Sequence, residues 1–376
     1  MKRSIAIITG TRADWGLLSP IATALRAHPH CDVSIIATNM HLEAKFGHTV
    51  DDIEADSFRI AARVPLTPAS DSPVDTAVAM GECESLMARA LYDLMPDMVV
   101  ILGDRYEMLA AASAATLLRI PIVHLHGGEE TRGAIDDNIR HAITQLSQLH
   151  LTSTEPYRQR VIAMGKAPAS VVNTGAIGVY NMLNTPLLSR REVVETLDGW
   201  DPQDSALLVT LHPATADDTI TSAQQAAAMF EALDRFPQCR LLITYPNNDP
   251  DHEAIIEAIS EYVRRWGDRV KVVPSLGWRR YLSALRCVKC VVGNSSSGII
   301  EVPSAGIPTV DIGMRQQGRI AAKSVINCQP DADSIAAAID RALSAEMQQL
   351  AAECHNPYMK PDTLRLIVDA ITSFEV

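Results

Sequence analysis

Short apolar runs alternate with longer amphipathic segments along the first half of the chain. Helical patterns such as Leu17–Ala27 and Met108–Leu118 lie between the apolar runs. The runs are Ser4–Thr9, Asp32–Thr38, Met98–Leu102, Pro121–His124 and Leu149–Ser153. A run that is apolar nearly throughout is typical of a parallel strand covered on both faces. The alternation therefore predicts a doubly wound α/β domain.

The same alternation starts again in the second half, after a segment at 173–199 that contains Gly175, Gly178 and Pro186. The apolar runs here are Leu207–Leu211, Arg240–Thr244, Val270–Val273, Cys290–Val292 and Pro308–Asp311. The pattern predicts two Rossmann-like domains with a central cleft, and a boundary near Gly178. The N-terminal domain, 1–178, would carry most acid–base residues, and the C-terminal domain, 179–376, would bind a nucleotide. In such folds, ligands bind beyond the carboxyl ends of the strands.

Composition narrows the class of protein. The 376 residues are 47% hydrophobic and carry a net charge of −12, which argues against a nucleic-acid or anionic-membrane binder. No apolar run approaches the ~18 residues of a transmembrane helix. The seven cysteines are scattered and odd in number, which favours reduced thiols and a cytoplasmic location.

Two loops that follow predicted strands in the first half carry charged residues. Gly10–Gly16 joins the first strand to a helix, and Arg12 in it would contact a phosphate. Asp104 and Arg105 directly follow the strand Met98–Leu102. Both loops are expected over the ligand cleft.

A third loop concentrates acid–base groups. His126 is followed by two glycines that permit close backbone approach to a ligand, and then by Glu129. Asp136 resembles a helix N-cap, which places Asp137 in the first turn. Histidine and carboxylates together suit proton transfer. Their spacing matches no fixed metal-ligand pattern, so no metal is predicted.

The second half offers nucleotide contacts at its strand ends. Small residues at 293–298 precede a helix and expose backbone N–H groups suited to a diphosphate, and Glu301 could accept hydrogen bonds from ribose hydroxyls. The other candidates at strand ends are His212, Asn248, Ser295, Ser296, Ser297 and Arg315.

These motifs resemble the hydrolysing UDP-N-acetylglucosamine 2-epimerases of sialic and related nonulosonic acid pathways. The resemblance covers nearly the whole chain, and the motifs occur in family order. They are Gly10–Asp14, Gly103–Arg105, His126–Glu129, Gly133–Thr144 and Gly293–Glu301. The resemblance implies a GT-B-like fold, with residues 361–376 crossing back to the N-terminal domain. It also implies a UDP-sugar substrate, no cofactor, and a homodimer or homotetramer.

The resemblance further implies the reaction. The C2 proton of the sugar is removed and UDP is eliminated from C1, and the resulting 2-acetamidoglucal takes up water to give N-acetylmannosamine. By family position, Asp104 and Asp137 match catalytic acids, and His212 matches a histidine near the diphosphate. The matches to nucleotide or substrate contacts are Arg12, Ala13, Arg105, Asn248, Ser295, Ser296, Glu301 and Arg315.

One position departs from the family pattern. Some members carry a glutamate where this chain has His126. Either His126 or Glu129 would then take the acid–base role. A neutral imidazole is competent for this task near pH 7.

Other functions stay open at this level. The same chemistry could act on a UDP-linked diacetamido trideoxyhexose or on GDP-N-acetylglucosamine. A non-hydrolysing 2-epimerase, a GT-B glycosyltransferase and a non-catalytic nucleotide-sugar sensor are further alternatives.

Overall fold

The computed structural model describes residues 2–216 and 219–375, with the side chains of Lys45 and Asp204 outside that description. The chain divides into two compact units. The first comprises the chain up to Glu129, Asp136–Asn181 and the chain from Tyr358 onward. The second comprises Glu130–Ile135 and Met182–Pro357. The predicted boundary at residue 178 thus lies near Asn181, whereas residues 130–135, expected in the first domain, belong to the second unit.

Both units are built from parallel strands with helices between them, which confirms the predicted fold class. The strands are β1 Arg3–Thr9, β2 Cys31–Thr38, β3 Ile60–Val64, β4 Met98–Leu102, β5 Ile122–Leu125, β6 Leu149–Thr152, β7 Val171–Asn173, β8 Leu207–Thr210, β9 Leu241–Thr244, β10 Val270–Val273, β11 Cys290–Gly293, β12 Thr309–Ile312 and β13 Val325–Cys328.

Sixteen α-helices lie in the described part of the chain. They are α1 Arg12–Ala27, α2 Val50–Ala55, α3 Pro73–Leu94, α4 Tyr106–Leu117, α5 Asp136–Leu146, α6 Glu155–Ala163, α7 Ile177–Asn184, α8 Arg190–Thr196, α9 Ser222–Asp234, α10 His252–Trp266, α11 Gly277–Leu285, α12 Ser296–Ile300, α13 Val302–Ala305, α14 Ala332–Leu343, α15 Ala345–Ala352 and α16 Thr363–Ser373. Within these residues, no helix is both long and apolar enough to cross a membrane.

The first unit contains a seven-stranded sheet in the order β3-β2-β1-β4-β5-β6-β7. Strand β1 is central, and its Ile5 lies opposite Val33 of β2 and Met98 of β4. Apolar side chains cover both faces of the sheet, because alternate residues of the buried strands face opposite layers of helices. The strand order reverses direction between β1 and β4, so the loops after these strands border the usual ligand crevice of this fold.

The second unit contains a six-stranded sheet in the order β10-β9-β8-β11-β12-β13. Its own apolar clusters lie on the two faces. The order reverses between β8 and β11, so the loops that begin with Leu211 and Asn294 border the corresponding crevice of this sheet.

Three strands fall outside the runs recognised in the sequence: β3, β7 and β13. All three are edge strands of their sheets. Each of them has only one buried residue, and Arg63 in β3 is exposed. An edge strand needs no continuous apolar run, because one side of it lacks a neighbouring strand. The hydrophobic pattern therefore marks the central strands more strongly.

The C-terminal helix α16 packs within the first unit. Ile367 and Ile371 join the same apolar cluster as Ile5 and Trp15. The guanidinium of Arg3 donates to the carbonyl oxygen of Ile371 at 2.9 Å. The helix thus covers one face of the sheet whose carboxyl edge carries the candidate acid–base residues.

Candidate active site

The buried side chain of Arg140 joins two of the predicted catalytic acids. Its guanidinium is 1% exposed, and it donates through Nη2 to Asp104 and through Nη1 to Asp137 at 3.0 Å. The same Nη1 donates to the carbonyl oxygen of Glu129 at 3.0 Å. The loop after β4 and the first turn of α5 therefore present their carboxylates around one fixed cation.

Helix α5 supplies this arrangement through its periodicity. Asp137 and Arg140 are three residues apart and therefore share a face. Four residues after Asp137, His141 places Nε2 3.7 Å from Asp137 Oδ2. Asp136 was expected as the N-cap, but the helix begins at Asp136 itself, so the capping prediction was wrong by one position. Asp137 does lie in the first turn, as expected.

His126 and Glu129 are in direct contact. Nδ1 of His126 lies 3.0 Å from Oε1 of Glu129, and Ser153 donates its hydroxyl to the same oxygen at 2.6 Å. His126 has φ +66°, an uncommon conformation for a residue with a side chain. Gly128, with φ +81°, packs so closely on the Tyr157 carbonyl that a Cβ would lie 2.7 Å from that oxygen. The tight turn directs the imidazole and requires a glycine at residue 128.

Arg105 is held by a carboxylate that the sequence reasoning did not single out. Its Nε donates at 2.8 Å to Glu107, whose side chain is fully buried. A side chain at Gly10 would collide with this carboxylate. Burial, together with the charge of Glu107, raises the pKa of Asp14 to about 6. The contact could have been predicted from the sequence, because Glu107 lies two residues after Arg105 at the start of a helix.

The two remaining first-unit candidates lie at the start of α1. Arg12 forms an ion pair with Asp52, with Nε 3.1 Å from Oδ2, and both side chains are partly exposed. Ala13 is exposed. Thr11 caps the helix in a reciprocal capping box with Asp14. The loop is therefore ordered by its own capping.

Two buried histidines lie under the loops after β4 and β5. His124 places Nε2 2.7 Å from the carbonyl oxygen of Gly103, and His150 is its neighbour across the strand pair. Burial lowers the pKa of His124 to about 4 and that of His150 to about 3. Both side chains are therefore neutral at physiological pH.

We expect His150→Leu to make the fold less sensitive to acid. An unfolded histidine binds its proton near pH 6.5, but folded His150 does not, so its contribution is complete above pH 6.5 and is lost as the pH falls towards 3. Between pH 7 and pH 5, the variant should lose about 2 kcal/mol less unfolding free energy than wild type. Denaturant titrations at both pH values measure this. His30→Gln, at an exposed histidine, is the control, and equal losses in wild type and His150→Leu would contradict the prediction.

In the second unit, Asn294 ties together the loops after β8 and β11. Its side chain accepts from the His212 N–H at 2.7 Å and donates to the His212 carbonyl oxygen at 2.8 Å. Gly293 has φ +144°, and a Cβ there would overlap the Thr210 carbonyl. Asn294 is a positioning residue that the sequence reasoning missed, although it stood inside the recognised motif.

The ring of His212 has a defined tautomer. Its Nδ1 accepts the backbone N–H of Asn247 at 3.1 Å. An accepting Nδ1 has a lone pair, so the proton of the neutral imidazole lies on Nε2. His212 is buried among these loops and presents a hydrogen-bond donor.

Arg315 lies close to this loop cluster. Its Nη2 is 3.7 Å from Asp249 Oδ2, and its Nη1 donates to the Asn294 carbonyl at 3.3 Å. Asn248, beside Asp249, is buried. Burial raises the pKa of Asp311 to about 7, although the charge of Arg315 opposes the shift. The structure therefore brings two predicted contacts, His212 and Arg315, to one group of loops. The same loops contain the chain neighbours of the predicted contacts Asn248 and Ser295.

The serines were expected to precede the helix, but α12 begins at Ser296, so only Ser295 precedes it and Ser296 and Ser297 lie in its first turn. Ser295, Ser296 and Ser297 are partly buried, and so is Glu301. Tyr281 of α11 faces Ser297 and Glu301, and burial raises the pKa of its hydroxyl. Tyr281 therefore borders this serine segment, and the sequence reasoning did not include it. Across residues 2–216 and 219–375, no group of three or more His, Cys, Asp or Glu is arranged to hold a metal ion.

Two parallel α/β units with polar loops at the carboxyl ends of their strands define a GT-B-like protein. A crystal structure of UDP-GlcNAc 2-epimerase from Neisseria meningitidis, bound to UDP-GlcNAc, superposes with a TM-score of 0.81 at 16% identity. The match covers 99% of this chain and 100% of that one.

The family follows from the sequence comparisons. Residues 23–372 match the model of the UDP-N-acetylglucosamine 2-epimerase family, and the chain belongs to this family. It is 36% identical to the GDP/UDP-N,N'-diacetylbacillosamine 2-epimerase (hydrolyzing) of Campylobacter jejuni, over 87% of this chain and 85% of that protein. It is 32% identical to the polysialic acid biosynthesis protein P7 of Escherichia coli, over 99% and 95% of the two chains. The resemblance inferred from the motifs is confirmed.

Proposed function

We propose that this protein is a hydrolysing UDP-sugar 2-epimerase. The observation that carries the proposal is the pair of carboxylates, Asp104 and Asp137, held on the buried guanidinium of Arg140. Beside them, His126 and Glu129 form a second acid–base pair. The proposed reaction needs proton transfer at C2 on both faces of the sugar, and these two groups supply it. The family membership of the chain supports the same chemistry.

In the first step, Asp104 or Asp137 accepts the C2 proton. The electron pair of the C2–H bond forms the C1=C2 bond, and the C1–O bond breaks to release UDP. In the second step, C2 of the 2-acetamidoglucal takes a proton on the opposite face, and water adds to C1. The product is the C2-inverted free sugar. No step calls for a metal or a redox cofactor.

The second unit is proposed to hold the UDP. Ser295, Ser296 and Ser297 at the start of α12 would contact the diphosphate, and His212 would donate from Nε2 to a phosphate oxygen. Glu301 would accept from the ribose hydroxyls. Donors that stabilise the negative charge developing on UDP accelerate its departure.

Further contacts complete the proposed substrate set. Arg105, held by Glu107, would contact the diphosphate or sugar. The remaining proposed contacts are Arg12, Ala13, Asn248 and Arg315. Arg12 and Arg315 each have a carboxylate nearby in this structure, so a phosphate would compete with Asp52 and Asp249 respectively.

Two sugars are proposed as substrates. UDP-N-acetylglucosamine would give N-acetylmannosamine, for sialic or nonulosonic acid synthesis. A UDP-linked diacetamido trideoxyhexose is the second candidate, and the similarity to the Campylobacter protein favours it. Both sugars carry the acetamido group at C2 and would follow the same steps.

The test is a reaction in D2O with each UDP-sugar in turn, without added metal. We expect UDP release and a C2-inverted free sugar that carries deuterium at C2. Release of the uninverted, undeuterated sugar would reject the elimination route. A stable UDP-linked epimer would instead indicate a non-hydrolysing enzyme.

Asp104→Asn provides the mechanistic arm of this test. We expect the rate of UDP release to fall by roughly 10²–10⁴, because an amide cannot accept the C2 proton. UDP binding, measured by calorimetry, should persist. Asp93→Asn, at an exposed residue of α3, should leave both quantities unchanged. Unaltered UDP release by Asp104→Asn would contradict the role of this carboxylate.

We also propose a cytoplasmic homodimer or homotetramer. Exposed apolar side chains on one helix, α3, support a contact with a second copy; they include Val74, Val78 and Leu86. Light scattering that shows a single 40.8 kDa species at working concentration would contradict the proposal.

A further inference from the structure

We propose that Glu129 and Ser153 form a positioning pair that fixes the His126 ring, so that Nε2 of His126 alone exchanges the proton on the second face of the sugar. This inference rests on the proposed function and decides which of His126 and Glu129 transfers the proton. His126 is then a catalytic residue, whereas Glu129 and Ser153 act through it.

Exposure separates the two residues. The side chain of Glu129 is 1% exposed, whereas that of His126 is 12% exposed. The main chain around Glu129 is also fixed, since its carbonyl oxygen accepts from Arg140 and the Gly128 carbonyl accepts from Arg160 at 2.7 Å. A carboxylate held in this way has no access to a sugar. The imidazole does.

Hydrogen bonding fixes the atom of His126 that reacts. Oε1 of Glu129 already accepts the hydroxyl of Ser153, and it faces His126 Nδ1 at 3.0 Å. A carboxylate oxygen that accepts needs a hydrogen on Nδ1. The neutral ring therefore has its lone pair on Nε2. Among the residues that the structure describes, Nε2 is buried and has no hydrogen-bond partner.

The backbone of His126 adds to this constraint. Its N–H donates to the Leu151 carbonyl at 2.9 Å, and its φ of +66° is a conformation that costs energy unless neighbouring contacts impose it. The two candidate histidines thus present different groups at Nε2. His212 presents an N–H, whereas His126 presents either a lone pair or an exchangeable proton.

The proposed step is the protonation of the 2-acetamidoglucal. The Nε2–H bond of the His126 imidazolium breaks, and its proton bonds to C2 by means of the C1=C2 π electrons. A water oxygen bonds to C1 and releases its proton to an aspartate carboxylate or to solvent. His126 is left neutral with its hydrogen on Nδ1, facing Glu129, and it is protonated again from solvent.

The other titratable groups around His126 leave this assignment intact. His124 lies on the preceding strand, and burial lowers its pKa to about 4, so it is neutral at the working pH. Asp104 faces the same group of residues but is ion-paired with Arg140. Glu129 is therefore the carboxylate in direct contact with the His126 ring.

The first test is the tautomer of His126 in the full-length protein. Histidine labelled with ¹⁵N reports which ring nitrogen carries hydrogen, and the spectrum of His126→Gln assigns the signal. We expect the neutral ring to carry hydrogen on Nδ1. Hydrogen on Nε2 would overturn the inference without any assay of activity.

The second test is the steady-state kinetics of Glu129→Gln. The variant keeps the shape of the side chain but replaces the carboxylate that faces Nδ1 with a neutral amide. We expect kcat to fall about 10²-fold with KM retained, because a less constrained ring is misplaced. His126→Gln should lose roughly 10²–10⁴ in kcat.

Controls separate this inference from the proposed function. Glu155→Gln, two residues from Ser153 and exposed, should match wild type. A wild-type kcat in Glu129→Gln, with deuterated product still formed by wild type, would overturn the positioning role alone. Absence of UDP release from wild type with either sugar would overturn the proposed function, whatever the tautomer of His126. Circular dichroism and UDP binding establish that each variant is folded.

Discussion

Arg140→Lys is expected to lower kcat for UDP release about 10²-fold while UDP binding is retained. The guanidinium of Arg140 contacts Asp104, Asp137 and the Glu129 carbonyl from one planar group. A lysine ammonium is a compact charge and cannot reproduce that fork. At least one carboxylate should therefore leave its position, although the positive charge remains. Steady-state kinetics with calorimetry of UDP binding measures both effects.

The matched control is Arg89→Lys, which makes the same substitution at an exposed position of α3. It should leave kcat unchanged. Wild-type kcat in Arg140→Lys would show that the two carboxylates do not depend on the guanidinium, and the proposed proton transfer at C2 would lose its structural basis.

Gly293→Ala is expected to destabilise the second unit by about 3 kcal/mol and to abolish UDP binding. A Cβ at this position would overlap the Thr210 carbonyl, and a backbone carbonyl cannot move aside as a side chain can. Displacement of this loop would also break the contacts between Asn294 and His212. Thermal unfolding and calorimetric titration with UDP measure the two effects.

Gly199→Ala separates steric overlap from backbone strain. Gly199 also has a positive φ, +81°, but no atom lies within 4 Å of an added Cβ. The cost there should be only about 1 kcal/mol, from the left-handed backbone alone. If both variants lose similar stability and both bind UDP, the close approach to Thr210 does not determine the structure of the loop after β11.

The positions of several candidate site residues in the loops after the strands could be predicted from the sequence. Because parallel strands all point the same way, residues that directly follow them meet at one edge of a sheet. Asp104, His126 and His212 could therefore be placed at such edges from their sequence positions. Asp137 needed the helical periodicity of α5 as well. In each case the prediction used only residues close to one another in the sequence.

Side-chain contacts between segments that are distant in the sequence could not be predicted in this way. Nothing local to Arg140 or Asp104 indicates that their side chains meet, since Arg140 lies in helix α5 and Asp104 in the loop after β4. Likewise, Ser153 follows β6 and reaches Glu129, which follows β5. Side-chain pairing of this kind depends on the packing of neighbouring strands and helices, which a single sequence does not specify residue by residue.

The sequence by itself determined the two α/β units, the order of their central strands along the chain, and the loops that carry the candidate chemistry. These features follow from periodic burial and from the small residues at 293–298, which act locally. Only the tertiary structure decided that Arg140 clamps both aspartates, that Glu129 is buried behind His126, and that residues 130–135 join the second unit. Those outcomes depend on which side chains of distant segments compete for the same buried space, and this competition is resolved only when the chain has packed.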